Sequence, residues 1–414
     1  MTDVVSEDVW REETPHVLAA LLRRNGDFPA CEDAVQEALL AAAQQWPDEG
    51  LPANPHGWLV RVASRKLIDH QRREAARAQR ELSLAAHTPA DALLVPSAFD
   101  GPAAAAVDDT LQLLVLCAHP VLSNASRVAL TLRAVAGLRT AQIAAGFLVP
   151  EATMAQRISR AKAAIRETGP SLAPVTHADL PERLHAVRHV LYLTFTAGHT
   201  TSSGHTLIDV DLQKEAIHLA ERLHAALPDD SETTGLLALL LLTHARLDAR
   251  TDGNGDLVPL DEQDRSRWDE ALIARGTRLV EEALPAGPVG PFQLQAAIAA
   301  VHAEAQTAEE TDWLQITMLY RMLARAAPSP TVSLNLAVAV GMAHGPAAGL
   351  AALAPLLGLR DQQRNHRLHA AHAHLLELAG DVDNAREGYA RAASLTQSIP
   401  EQRYLNRRAS RTRG

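Results

Sequence analysis

The 414-residue sequence is poor in cysteine and in aromatic residues: it has two cysteines, and Phe, Trp and Tyr together make up 3%. Cys31 and Cys117 are far apart in the sequence and do not have the spacing of disulfide-bonded or metal-binding cysteines. We therefore expect neither a disulfide framework nor a zinc site. The longest apolar run, Leu236–Leu242, is too short to span a bilayer, and the acidic N-terminus lacks the apolar stretch of a signal peptide. We therefore predict a soluble, cytoplasmic protein that does not bind a membrane.

The sequence also lacks a pairing of nucleophile and base that would indicate catalysis, so we expect neither an enzyme nor a cofactor. The segment Asp252–Asp256 resembles a calcium loop, but Leu257 and Gln263 stand where such a loop needs glycine and a bidentate glutamate. Four histidines between His366 and His374 have no acidic or thiol ligands beside them. We expect a polar turn, packing histidines and no metal.

The composition favours helices over sheets, because 47% of the residues are apolar and aromatics are few. The length suits two or three domains. The net charge of −10 is unfavourable for DNA binding, but two basic segments, Pro55–Arg80 and Asp108–Glu167, interrupt the acidic chain. Such a protein would bind DNA weakly alone and well with the help of a partner.

The segment Leu138–Arg166 has the pattern of two helices joined by a tight turn. Thr140 can cap the first helix, Gly146 suits the turn, and Pro150 suits the start of the second helix. One face of the second helix is apolar, and the others carry Gln156, Arg157, Ser159, Arg160, Lys162 and Arg166. This pattern predicts a helix-turn-helix whose second helix enters a DNA major groove. Two ordinary packed surface helices are the alternative.

Three more helices are predicted near the N-terminus, over residues 8–24, 30–46 and 58–80. The second of them has an acidic edge formed by Glu32, Asp33, Gln36 and Glu37. The third is basic, and its apolar residues are expected to turn inward: Trp58, Leu59, Val62, Leu67 and Ile68. Between these two helices, the Pro- and Gly-rich stretch Pro47–Gly57 predicts an irregular loop.

These stretches resemble a known family. Glu32–Trp46 followed by Gly57–Asp69 is similar to domain two of the extracytoplasmic-function sigma factors (group 4 of the sigma-70 family), and Asp108–Arg166 is similar to their domain four. Position 64 is Ser where the family often has Asn. The resemblance implies domain two at residues 8–83, an Ala-, Pro- and Gly-rich linker at 84–107 and domain four at 108–169.

The resemblance also implies a role for each candidate residue of domain two. Asp33, Gln36 and Glu37 would dock on the β′ clamp helices of bacterial core RNA polymerase, whose β flap is the other expected contact. Asn54 and His56 would read a base flipped out of the melted minus-ten element, and flipping costs a few kcal/mol. Trp58 could stack on a base or belong to the core. Phosphates of the single strand would be neutralised by Arg61, Arg65, Arg72 and Arg73.

In domain four the resemblance implies readers of the promoter's minus-thirty-five element at Gln156, Ser159 and Arg160. Glutamine can pair with adenine and arginine with guanine. Arg139, Arg157 and Lys162 would hold phosphates, which positions the protein without specifying a sequence.

The C-terminal half, residues 178–414, is predicted to be an irregular α-solenoid, so the fold class is all-α. Its last part, Leu368–Leu395, comes close to a tetratricopeptide repeat, with Gly380 at the turn and Ala385, Ala392 and Tyr389 at the packing positions. The chain thus resembles the sigma factors with a fused tetratricopeptide-like extension.

We therefore predict an alternative sigma factor that brings RNA polymerase to promoter DNA. The extension would regulate or support assembly, and contact between it and the sigma domains is one way of doing so. A one-component helix-turn-helix activator with a helical sensor is the alternative, but it leaves the Glu32–Asp69 block without a purpose. A peptide-binding scaffold would explain the C-terminal half alone.

Overall fold

The structure is a computed structural model that describes residues 2–25, 27–82, 104–147, 149–168, 180–199, 203–204 and 210–411. Within these ranges the elements are helices, apart from a short parallel pairing of Ser203–Gly204 (β1) with Gln397–Ser398 (β2). The all-α prediction is confirmed. The predicted linker at 84–107 lies outside the described residues except at 104–107, where a helix begins at Ala104.

The described chain forms two compact units, of which the first contains residues up to Ala145 and Val149–Val190 and the second contains mainly Leu191 onward. The helices of the first unit are α1 (Thr2–Asn25), α2 (Phe28–Glu49), α3 (Pro55–Leu82), α4 (Ala104–Cys117), α5 (Asn124–Ala134), α6 (Thr140–Gly146) and α7 (Glu151–Glu167). Helix α8 (Leu180–His199) contributes to both units.

Helices α1, α2 and α3 form a bundle, and α4 packs against α1. Helix α2 begins after Asp27, whose Oδ1 accepts the Ala30 N–H at 3.2 Å. It ends at Gly50, which has φ +82° and donates to the Trp46 carbonyl at 3.0 Å. Helix α2 therefore runs past Pro47, and the predicted loop Pro47–Gly57 is wrong at both ends. A proline is tolerated there because it removes a single hydrogen bond close to the helix end.

Leu59 and Leu67 of α3 are buried, as predicted, but Ile68 is 38% exposed and its predicted inward position is wrong. Ile68 points about 100° further around the helix than the buried Leu67, which places it outside the packed face.

The helix-turn-helix predicted over Leu138–Arg166 is present as α6 and α7, and α5 precedes it. Ser123 caps α5, and Gly137, at φ +70°, lets the chain turn toward α6. The predicted cap at Thr140 is wrong by one position, because the Arg139 N–H donates to Oε1 of Gln142 at 2.9 Å in half of a capping box. Helix α7 buries the predicted apolar face, which consists of Met154, Ile158, Ala161 and Ile165.

The second unit is built from consecutive helices, which are α9 (Val210–Ala226), α10 (Ser231–His244), α11 (Glu270–Ala283), α12 (Pro291–Glu304), α13 (Trp313–Ala326), α14 (Pro330–His344), α15 (Pro346–Leu357), α16 (His366–Leu378), α17 (Val382–Leu395) and α18 (Ile399–Arg411). Its core is divided into local clusters, such as Leu294 with Ile316 and Leu334 with Leu375. Clusters between neighbouring helices are typical of solenoids. The tetratricopeptide interpretation itself stays a prediction.

The expected turn between α16 and α17 lies at Gly380, with φ +82°, and Ala385 and Ala392 are fully buried. The segment Asp252–Asp256 is a local turn in which Oδ1 of Asp252 accepts the amides of Asn254 and Asp256. No helix among the described residues is both long and apolar enough to cross a membrane.

Candidate nucleic-acid and polymerase interfaces

The three predicted base readers lie together on α7. Gln156, Ser159 and Arg160 are exposed and fall on one face, opposite the buried Met154 and Ile158. The spacing i, i+3, i+4 places their side chains side by side along about one helical turn. The arrangement therefore presents an amide, a hydroxyl and a guanidinium to one external surface.

The three residues predicted to hold phosphates in the same region differ in how exposed they are. Arg139 is exposed at the start of α6, where its Nε donates to Oε1 of Gln142 at 3.3 Å. Arg157 is half-buried. Lys162 is only 14% exposed in its side chain, because it is paired within the protein.

Lys162 is held by the acidic residues of α2. Its Nζ donates to Oε2 of Glu32 and, at 3.1 Å, to Oδ1 of Asp33. Nε of Arg133, on α5, donates to the other oxygen of Glu32 at 3.1 Å. Glu32 is 1% exposed in its side chain, so the predicted exposed edge is wrong at this residue. The reason is that the region containing α5 and α7 covers it, which sequence periodicity does not reveal.

The remaining acidic edge of α2 is accessible. Asp33 and Glu37 are exposed, and Glu37 forms a surface ion pair with Lys66 at 3.3 Å. Gln36 is half-buried, and its Nε2 has no hydrogen-bond partner in the described part of the chain. The sequence analysis missed Leu40, which is 61% exposed beside this edge. Leu40 follows Glu37 by three residues and Asp33 by seven, a spacing that puts all three on one face of a helix. This spacing could have indicated Leu40 from the sequence.

The predicted minus-ten readers surround the start of α3. Oδ1 of Asn54 accepts the Gly57 N–H at 2.8 Å and thereby caps this helix. Nδ1 of His56 lies 2.9 Å from Oε2 of Glu13. Trp58 is half-buried and packs edge-on against Trp46, with ring centroids 5.4 Å apart. Asn54 is exposed, whereas His56 and Trp58 are partly held by protein contacts.

The basic side chains of α3 are exposed, as a DNA-backbone contact requires. Arg61 and Arg65 lie one turn apart on the helix, and Arg72 and Arg73 follow two turns later. Two of these residues are anchored to their own helix, since Nε of Arg61 and Nε of Arg73 each donate to a carbonyl four residues earlier, at 3.2 Å. Each of the two keeps further guanidinium donors that these bonds do not use.

The two cysteines are buried and free. Burial, followed by the charge of Asp27, raises the pKa of the Cys31 thiol to about 12. Burial also raises the pKa of Cys117, and Glu32 adds to that effect. Both thiols are therefore protonated and unreactive at neutral pH.

Three family models match the chain. They are sigma-70 region 2 over residues 9–77, sigma-70 region 4 over residues 112–165 and a family of unknown function (DUF6596) over residues 183–284. The first two matches contain α2 and most of α3 and α7, with all the candidate DNA- and polymerase-contacting residues described above. The region 2 match also accounts for the block Glu32–Asp69, which the one-component activator left unexplained.

Two relatives extend this comparison. An uncharacterized protein of Rhizobium meliloti is 39% identical over 400 residues, which cover 94% of this chain and 92% of the relative. A Mycobacterium tuberculosis protein named "Probable ECF RNA polymerase sigma factor SigI" is 31% identical over 174 residues, in both of two strains. That match covers 41% of this chain and 57% of the relative.

The two sigma regions, in this order and with these exposed surfaces, identify the chain as a member of the sigma-70 family. It is an alternative sigma factor of the extracytoplasmic-function group with a fused C-terminal extension.

Proposed function

We propose that this sigma factor acts through three surfaces of its first unit. The exposed edge of α2, with Asp33, Gln36, Glu37 and the neighbouring Leu40, binds the β′ clamp helices of core RNA polymerase. The start of α3 and its arginines bind the melted minus-ten strand. Helix α7 reads the minus-thirty-five element. The protein acts in the cytoplasm, where bacterial polymerase transcribes, and has no catalytic role of its own.

The observation that carries this proposal is the face of α7 formed by Gln156, Ser159 and Arg160. A helix that buries its apolar face in a helix-turn-helix and exposes three hydrogen-bonding side chains has the geometry for reading base edges. Exposed polar residues that do not read bases have no reason to be grouped on one face of a helix.

Substitution of Arg160 by Ala tests the reading of bases. We expect holoenzyme with R160A to lose discrimination at one base pair of the minus-thirty-five element by roughly 1–3 kcal/mol, because a bidentate arginine–guanine contact is worth that much. The measurement is promoter binding on templates carrying each base at every position of the element. The exposed Arg166 on the same helix is the control, and R166A should weaken all templates equally. Equal losses on every template with R160A would refute the role of a base reader.

We further propose that the contact of Glu32 with Lys162 and Arg133 belongs to a closed form that opens in the transcribing complex. The centres of the minus-ten and minus-thirty-five elements lie about 25 base pairs apart, roughly 85 Å along B-DNA. Helix α7 cannot occupy the distant element while Lys162 still bonds to α2. Opening releases Lys162 for a phosphate and Asp33 for the polymerase at the same time.

The C-terminal extension, in this account, controls or supports assembly of the holoenzyme, and contact with the sigma regions is one means of doing so. What supports this role is the presence of a large second unit fused to both sigma regions. A protein truncated after Thr168 tests the idea in transcription assays with core polymerase. Equal transcription by the truncated and the intact protein would overturn it.

A further inference from the structure

The second unit contains a cavity of about 630 Å³ that the sigma activity does not use. It lies where α12, α13, α14 and α16 meet α17 and α18, and its inner wall includes Arg265, His302, Trp313 and Tyr404. This volume is typical of sites for small organic ligands, which are mostly apolar with a few convergent polar groups. The wall of this cavity has that composition.

Arg265 lies in the wall of the cavity and retains donors that the protein does not use. One of its terminal nitrogens donates to the carbonyls of His302, at 2.6 Å, and Ala305, and the other donates to Oγ1 of Thr311 at 3.3 Å. A guanidinium has five N–H donors, so two remain. Arg265 forms no ion pair with a carboxylate in the described part of the chain. Burial lowers its pKa, and the charges of Glu309 and Glu310 oppose that shift without pairing with it.

A second arginine stands beside it without a partner. The guanidinium carbons of Arg265 and Arg246 lie 4.7 and 6.0 Å from the ring centroid of the buried Trp268. Arg246 makes no hydrogen bond or ion pair with any described residue; its contacts among them are this cation–π contact and an electrostatic interaction with Tyr320. Burial, together with the charge of Arg265, lowers the pKa of Arg246 to about 10. A charge enclosed in this way is costly unless something compensates it.

His302 adds a neutral hydrogen-bonding group to the same wall. Burial, followed by the charges of Arg246 and Arg265, lowers the pKa of His302 to about 4. Its ring packs edge-on against Trp313, with centroids 5.3 Å apart, and bonds to no other described side chain. At neutral pH the imidazole can donate one hydrogen bond and accept another.

The rest of the wall restricts the charge of a ligand. Arg408 is already neutralised, because it bonds to Glu262, at 3.3 Å, and to Glu377. Two exposed carboxylates, Asp261 and Glu309, stand at the rim. They would repel a polyanion such as a nucleic acid. Glu309 and Glu310 act on Arg265 without forming an ion pair with it, so Arg246 and Arg265 together still attract a single negative charge.

We propose that this cavity binds a small organic carboxylate, whose anionic group bonds to Arg265 and His302 near Arg246 and whose apolar body packs against Trp313 and Tyr404. The proposal does not depend on the promoter-binding roles assigned above, since it concerns the second unit alone.

Isothermal titration calorimetry on the full-length protein at pH 7.5 tests this binding with matched probes. 3-Phenylpropionate carries the carboxylate, whereas 3-phenylpropanamide is its neutral isostere and 3-phenylpropylamine is the corresponding cation. We expect 3-phenylpropionate to bind at least tenfold more tightly than the amide, and the amine not to bind. Failure of 3-phenylpropionate to bind, or equal binding of all three probes, would overturn the proposal.

The variant Arg246→Met separates ligand binding from folding. Because Arg246 makes no hydrogen bond or ion pair among the described residues, its removal should raise the melting temperature of the free protein while weakening 3-phenylpropionate binding at least tenfold. Arg325→Met is the matched control, because this arginine is exposed on α13 away from the cavity wall and should change neither quantity. A lower melting temperature with unchanged affinity in R246M would show that Arg246 is structural and that the proposal is wrong.

Discussion

At the scale of single residues, Glu32 shows how strongly one buried carboxylate can link two regions of a chain. It is enclosed on α2, yet both of its oxygens bond to basic groups, on α5 and α7. Buried carboxylates are stable only when they are paired in this way. In the closed form proposed above, the same side chain would keep Lys162 from a DNA phosphate.

The substitution Glu32→Gln should destabilise the first unit by about 2–3 kcal/mol, because a charge-assisted hydrogen bond is lost and two cations stay partly buried. Urea unfolding followed by circular dichroism measures the change. Glu37→Gln is the matched control: the pair of Glu37 with Lys66 is exposed, so its loss should cost less than about 1 kcal/mol. Equal effects of the two substitutions would contradict the importance of the buried contact.

His302 predicts how the stability of the second unit depends on pH. Its pKa is lowered to about 4 in the folded protein, chiefly by burial, whereas an unfolded histidine titrates near 6.5. Between these values the unfolded state binds more protons, so stability falls as the pH drops from about 6.5 to about 4. The loss attributable to His302 is of the order of 3 kcal/mol once both states are protonated.

The measurement for this prediction is the free energy of unfolding at pH 7.5 and at pH 5, for the intact protein and for His302→Gln. The variant should show a smaller loss at pH 5, although other buried histidines such as His199 and His244, whose pKa values burial also lowers, keep part of the dependence. An identical pH dependence in both proteins would exclude His302 as a contributor.

At the scale of elements, α2 combines two kinds of contact on one helix. On one side of α2, Glu32 accepts a hydrogen bond from Lys162 of α7. The exposed side carries Asp33, Glu37 and Leu40. An exposed leucine offers apolar surface that a partner can bury, and the charged residues beside it can form the polar rim of such a contact. The polymerase contact proposed for α2 therefore has an apolar component that the acidic residues alone would not supply.

Replacement of Leu40 by Ala should weaken binding to core polymerase about tenfold or more, with almost no change in stability, because the side chain is 61% exposed. Competition with a reference sigma factor for core polymerase measures the affinity. Leu314→Ala is the control, since Leu314 is 58% exposed but lies in the second unit. Equal affinities of L40A and the unaltered protein would remove Leu40 from the interface.

The elements that the sequence predicted well are those whose pattern is local. The spacing of Met154, Ile158 and Ile165 predicts α7 and its buried face, because a helix with a period of 3.6 residues leaves that signature wherever it packs. The boundaries of α2 and α6 were less predictable, since they depend on caps. Gly50 ends α2 after Pro47, and α6 follows Arg139, whose N–H donates to Gln142, instead of being capped by the Thr140 hydroxyl.

Long-range features of the candidate site were not predictable in the same way. The burial of Glu32 depends on residues more than a hundred positions away, and no local period encodes that contact. Helix α18 was missed because its sequence is rich in arginine, and its place becomes clear from its ion pairs, such as those of Arg403 and Arg407 with Asp256. The unpartnered Arg246 was likewise invisible before the fold was known.

At the scale of the whole molecule, the closed form predicts a large change of distance between α2 and α7. Dyes on Gln45→Cys and Ala163→Cys, both at exposed positions of the first unit, should transfer energy efficiently in the free protein. Transfer should fall sharply when core polymerase and promoter DNA are both present, because the promoter elements are roughly 85 Å apart. High transfer that persists in a complex able to transcribe would contradict the opening.

The central claim is that this chain recognises promoters as part of RNA polymerase. The most direct test is run-off transcription on a genomic promoter library with purified bacterial core polymerase, alongside a gel shift of the same DNA without polymerase. We predict transcripts that require both proteins and little shift by this protein alone, because its acidic net charge of −10 disfavours independent binding to DNA. A tight, sequence-specific shift without polymerase, and no initiation with it, would contradict the account.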